Sequence, residues 1–114
     1  MALLTPQTVV KTGLQPAYAA VNATDTIAQA NGVDQFLHVK NANAGACTVT
    51  LVDGGKTAWG SAAVSPTVSV PATTGDRMIG PLPNSSADST TGLLSVTYSV
   101  TASVTAALIS VPKL

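Results

Sequence analysis

Charge is scarce in this chain: 9% of its 114 residues are Asp, Glu, Lys or Arg, against about 25% in an average domain. Glutamate is absent, and five acidic residues balance five basic ones along the sequence. The basic residues do not cluster, which argues against the counterion-releasing patch that nucleic-acid binding requires. Aromatic residues make up only 4%, too few for a row of base-stacking platforms. Cys47 is the single cysteine, so an intramolecular disulfide is excluded, and its Thr/Val surroundings make it a small buried hydrophobe. One histidine and one cysteine are too few for the usual zinc ligand sets. No apolar run approaches the roughly 20 residues of a membrane helix. The opening Met1-Ala2-Leu3-Leu4-Thr5-Pro6-Gln7 lacks the basic and long apolar regions of a signal peptide, so synthesis and folding in a reducing cytoplasm are expected.

The sequence is instead rich in Val, Ala, Thr and Ser, and 46% of it is hydrophobic. Sustained helical spacing of apolar residues is missing, and Ala-rich pieces are cut by Gly, Pro and Thr. Short β-branched runs separated by turn residues recur. Strands are expected at 8–11, 17–21, 35–40, 47–52, 67–70, 77–79, 94–100 and 104–111. In the third, Leu37 and Val39 point one way while Phe36, His38 and Lys40 point the other; Cys47, Val49 and Leu51 alternate in the same manner with Thr48 and Thr50. The turn at 41–45 suggests that these two strands form a hairpin. Residues 22–26 read as a closing turn, and 84–92 as a polar surface loop. Regular alternation implies one buried and one polar face per strand. The expected fold is therefore all-β, an antiparallel β-sandwich or β-barrel of about eight short strands, jelly-roll or immunoglobulin-like, without substantial helix. Length allows one domain, taken as residues 8–114 preceded by an N-terminal arm at 1–7. With so few charges, some strand edges are expected to be covered by neighbouring subunits.

Reactive groups are few. A nucleophile–base pair would have to use His38, which the alternation places on a polar strand face, so no catalytic residue is assigned. Asp25 and Asp53-Gly54-Gly55 lack the periodic acidic ligands of a calcium loop, and no metal ligand or cofactor is assigned. Two Asn-x-Ser/Thr sequons, at Asn22 and Asn84, reflect the abundance of these residues. Trp59, in a Gly/Ala/Ser-rich stretch, stands apart from the other aromatics as either a lid over the core or an interface anchor.

Several segments, Phe36-Leu37-His38-Val39-Lys40-Asn41, Thr48-Val49-Thr50, Val70-Pro71-Ala72, Met78-Ile79-Gly80-Pro81, Val96-Thr97-Tyr98-Ser99 and Val104-Thr105-Ala106, resemble in that order a family of small capsid decoration (minor head) proteins of tailed bacteriophages, many from actinobacterial hosts. The resemblance runs from about Thr8 to Ile109 through strand-and-turn patterns. It departs at Leu82 and in the aromatic-free stretch 84–91, where members often carry aromatics, and at the tail 111–114. It implies no catalytic residue. It does imply a virion protein on the capsid surface, assembled in the bacterial cytoplasm, whose partner is the major capsid protein. A homotrimer is expected by analogy with other decoration proteins. Leu3, Leu4 and Pro6 of the arm, together with Trp59, are the expected partner-binding residues. A head-tail or tail structural component and a glycan-binding adhesion module are the alternative readings.

Overall fold

A computed structural model describes residues 2–28, 33–54, 59, 61, 65–82 and 91–112. The described residues form ten strands and no helix: β1 (Ala2–Leu3), β2 (Gln7–Thr8), β3 (Ala19–Ala20), β4 (Thr24–Ala28), β5 (Val33–Asn41), β6 (Cys47–Val52), β7 (Thr67–Val70), β8 (Gly75–Ile79), β9 (Leu93–Tyr98) and β10 (Val104–Pro112). They build two sheets, ordered β1-β4-β9-β6-β7 and β2-β10-β5-β8, with β3 pairing β10 beside β2. The sheets pack face to face as a sandwich and do not close into a barrel. Both are mixed, because β1 runs parallel to β4 and β2 runs parallel to β10 while every other pairing is antiparallel.

Alternation explains which side chains enter the core. Leu37 and Val39 of β5 face Val104, Ala106 and Leu108 of β10 across an antiparallel ladder, and all five are buried. From the opposite sheet come Cys47, Val49 and Leu51 of β6, Leu94, Val96 and Tyr98 of β9, and Ile27 of β4. Polar residues between them stay on the outer faces, as the two-residue period demands. The thiol of Cys47 is buried and donates to the Val100 carbonyl at 3.5 Å.

The expected hairpin of 35–40 with 47–52 is corrected by the topology. β5 pairs with β10 and β8, whereas β6 pairs with β7 and β9 in the other sheet. The segment 41–45 is thus a crossing between layers, and Asn41 is what holds it. Its buried side chain donates to the carbonyls of Gly45, Val70 and Pro71 at 3.0, 3.2 and 3.1 Å and accepts from the Asn43 amide at 2.9 Å. One amide side chain therefore ties the end of β5 to the end of β7 in the facing sheet. Gly75 is required nearby, since a Cβ there would collide with the Pro71 carbonyl.

Residues 22–26, expected as a turn, contain most of β4. Thr and Asp are turn formers in isolation, but here Thr24, Asp25 and Thr26 pair with Thr97, Val96 and Ser95. The two expected N-terminal strands are shorter than their β-branched runs suggest. Residues 9–18 leave the sheet, turning at Gly13, whose φ of 96° favours glycine.

The phenol of Tyr98 is buried without a hydrogen-bond partner among the described residues. Burial, then the charge of Asp25 and then that of Cys47, push it well above the ordinary tyrosine range. The folded chain thus holds the phenolic proton more tightly than the unfolded chain, so this contribution is complete below about pH 10 and is lost as pH rises beyond it. Replacing Tyr98 by Phe should raise stability at neutral pH by about 1 kcal/mol and reduce the alkaline loss seen in denaturant titrations; an unchanged alkaline limb contradicts this account. Asn41→Ala should cost about 2 to 4 kcal/mol, whereas Asn43→Ala, whose bonds are exposed, should cost under about 1. Equal costs would mean that Asn41 does not clamp the layers.

Candidate functional site

Two features rise above the plain sandwich, an N-terminal segment with exposed apolar side chains and a hydrogen-bonded network around His38. Residues 1–7, expected as an arm, include two pairings that tie the segment to both layers. Ala2 and Leu3 lie in register with Asp25 and Thr26 on one sheet, and Gln7 and Thr8 with Ile109 and Ser110 on the other. The Leu4 amide donates to Thr26 O at 2.8 Å and the Val9 amide to Ser110 O at 2.9 Å. Gln7 extends the attachment with its side chain, donating to Ala17 O and accepting from Ala17 N, both at 2.8 Å. An amide side chain here substitutes for a backbone partner.

The four expected contact residues divide accordingly. Leu3 is 60% exposed, Pro6 is exposed, and Trp59 presents 95% of its surface, so Trp59 is no lid over the core. Leu4 is half-buried and packs against the core. Val9, Val10 and Val111 are also exposed, and the bond from Val9 to Ser110 brings them to one rim. Sequence reasoning missed these valines because a β-branched run reads as a strand, and burial of its apolar side chains is then assumed.

His38 corrects a second expectation, that of a histidine on an exposed strand face. It does lie on the outer face of its sheet, opposite Ala107 of β10 and Met78 of β8, but it is only 7% exposed. Tyr18, just before β3, places its hydroxyl 2.6 Å from His38 Nδ1, with the rings edge to face at 5.3 Å. The small Ala107 beside His38 leaves room on this face. His38 Nε2 meets the carboxylate of Asp76, and the Lys40 ammonium lies 4.2 Å from the Tyr18 ring centroid. A carboxylate only accepts, so Nε2 carries a proton, and in the neutral ring Nδ1 then accepts from the Tyr18 hydroxyl. The order phenol, imidazole, carboxylate is that of a nucleophile–base–orienter relay, but its members belong to a packed sheet face. Physically the network fastens the segment before β3 onto β5 and β8.

No family model matches this chain, and no curated protein or solved structure matches it. Among the described residues no group of three His, Cys, Asp or Glu side chains could hold a metal ion. Nor, among the described residues, is any helix long and apolar enough to cross a membrane.

A shallow concavity of about 460 Å³ adjoins the network, lined by Lys40, Thr73, Thr74, Ser103 and Thr105 among others. Thr73 and Ser103 adopt left-handed φ values of 69° and 58°, which costs a non-glycine residue of order 1 kcal/mol. Backbone bonds from Thr73 N to Asn43 O and from Ala42 N to Ser103 O hold these turns together.

Tyr18→Phe should cost about 1 kcal/mol and accelerate amide exchange at residues 17–20. Nitrogen-15 spectra at neutral pH should show His38 protonated at Nε2; a dominant Nδ1–H tautomer would refute the relay order.

Proposed function

We propose that this protein is a decoration protein of a tailed-bacteriophage head, binding the outer surface of the assembled major capsid shell and stabilising it against the pressure of packaged DNA. The observation that carries the reading is the set of exposed apolar side chains, Leu3, Val9 and Val10, on and just after a segment that pairs with both sheets, joined to the strand-pattern resemblance described above. A cementing protein has to adhere in many copies without entropy lost to a floppy arm, and an anchored segment avoids that loss. Near-neutral composition permits close approach of identical copies, and weak contacts repeated over a shell add up by avidity. A homotrimer around threefold positions of the shell is the arrangement proposed, with cyclic symmetry closing the contacts.

Trp59 supports a second reading. An almost fully exposed indole is the platform on which a sugar stacks, as in an adhesion module displayed on a particle.

Particles assembled with and without the protein should differ in survival after heating or osmotic shock, and the Val10→Asp variant should occupy shells less than the wild type. Equal survival removes the stabilising role. A copy number of about six or twelve per particle in place of hundreds would assign a connector instead. Retention of wild type but not Trp59→Ala on immobilised glycans would favour the adhesion reading.

A further inference from the structure

The N-terminal segment and β3 leave a cavity between them on the side of the sandwich. Its volume is about 520 Å³, within the roughly 300–1,000 Å³ range of small-ligand sites. Six of its lining residues are alanines, Ala2, Ala17, Ala19, Ala20, Ala106 and Ala107, of which Ala106 and Ala107 are buried and the other four exposed. It lies along the part of β10 between the residues that pair with β3 (Thr105, Ala106) and those that pair with β2 (Ile109, Ser110). Leu3, Leu4 and Leu108 add further apolar wall.

Asp25 stands at this cavity, only 1% exposed. Among the described residues its hydrogen-bond donors both belong to Asn22, the backbone amide at 3.3 Å and the side-chain amide at 3.0 Å. Both are neutral. A buried carboxylate without a cation carries a large desolvation cost, and two neutral donors fill only about half of its roughly four lone-pair sites. The buried Tyr98 hydroxyl, which has no hydrogen-bond partner among the described residues, does not donate to Asp25 either.

We infer that this cavity binds a primary alkylammonium group, with the ammonium on Asp25 and the alkyl chain along the alanine and leucine walls. The chemistry follows from the lining, in which Asp25 is the one charged side chain among alanines, leucines and the neutral polar Thr5, Gln7 and Asn22. An anionic ligand would be repelled, and a neutral apolar one would leave the carboxylate uncompensated. A bulky quaternary ammonium would lack the N–H donors that the free lone pairs require. The group could be supplied by a lysine side chain of a partner protein or by a free amine, and the inference does not rest on the capsid reading.

The full chain, isotopically labelled, is titrated with n-butylammonium chloride and followed by amide chemical shifts. Saturable shifts are expected at Ala19, Asp25 and Ala107 with a Kd of about 1 mM, and n-butanol, tetramethylammonium chloride and sodium chloride should not reproduce them. Asp25→Asn should weaken binding by about tenfold or more. Ala20→Leu, which adds bulk at the exposed part of the lining and leaves the carboxylate intact, should do the same, and it keeps the test decisive if the aspartate variant does not fold. Absence of saturable shifts in the wild type, unchanged affinity in Ala20→Leu, or equal binding of n-butanol overturns the inference. Matching affinity for N-acetyl-lysine methylamide would assign a partner's lysine as the source, while binding of the free amine alone would assign a small molecule; either result supports the site.

Discussion

The β5–β10 ladder is the constraint on which the rest of the molecule depends. Nine residue pairs, from Val33 opposite Pro112 to Asn41 opposite Val104, run antiparallel without interruption. This register sends Leu37, Val39, Ala106 and Leu108 into the core and leaves Phe36, His38, Lys40 and Ala107 on the other face. A slip of one residue would exchange the two sets and bring a histidine and a lysine into the core. Because β8 pairs with β5 along the same register, Asp76 and Met78 lie on the face that carries His38, and the phenol–imidazole–carboxylate network follows from it.

The layers are then joined at their ends and along one side. Asn41 supplies the end connection with a single buried amide bonded to three carbonyls. The N-terminal segment supplies the side connection, pairing first with β4 and then with β10. By adding a strand to each layer it covers edges that so weakly charged a protein protects poorly by other means. Such attachment places Leu3 at a fixed register on β4, where a free arm would average its position over many conformations. β7 and β8 end the two sheets on the other side, and the exposed Met78 on β8 adjoins a small apolar recess with Phe36 and Pro81.

Buried and half-buried polar groups mark the places where separate segments meet. Asp25 and His38 do so from within paired strands, and Asn41 and Gln7 do so at strand ends, each satisfying or leaving partly unsatisfied its hydrogen-bonding capacity. In an interior of Val, Leu and Ala such groups restrict the chain to arrangements that reunite donors with acceptors, since an unpaired buried polar atom costs more than a mispacked methyl. The cavity beside Asp25 is the complementary case, lying where the edge of β10 away from β5 has no partner between its pairings with β3 and β2.

Several strands were legible from the residues themselves. The alternations in 35–40, 47–52 and 94–98 reappear as buried and less buried positions of β5, β6 and β9, because a two-residue period is a local property of pleated backbone. All-β class and the burial of Cys47 followed from the same signal. Pairing partners did not, because short strands of Val, Thr and Ala are chemically alike and a turn such as 41–45 suits a hairpin as well as a crossing. Tertiary structure alone decided that 22–26 is largely strand, that 9–11 is not, and that His38 is buried under Tyr18. It also decided that Asp25 stands at a cavity. The strand at 24–28 and the burial of His38 arise from contacts between residues 20 or more apart in the chain, for which local sequence has no period to display. Composition and alternation thus determined a two-faced β protein with little charge; long-range pairing determined where its few polar side chains meet.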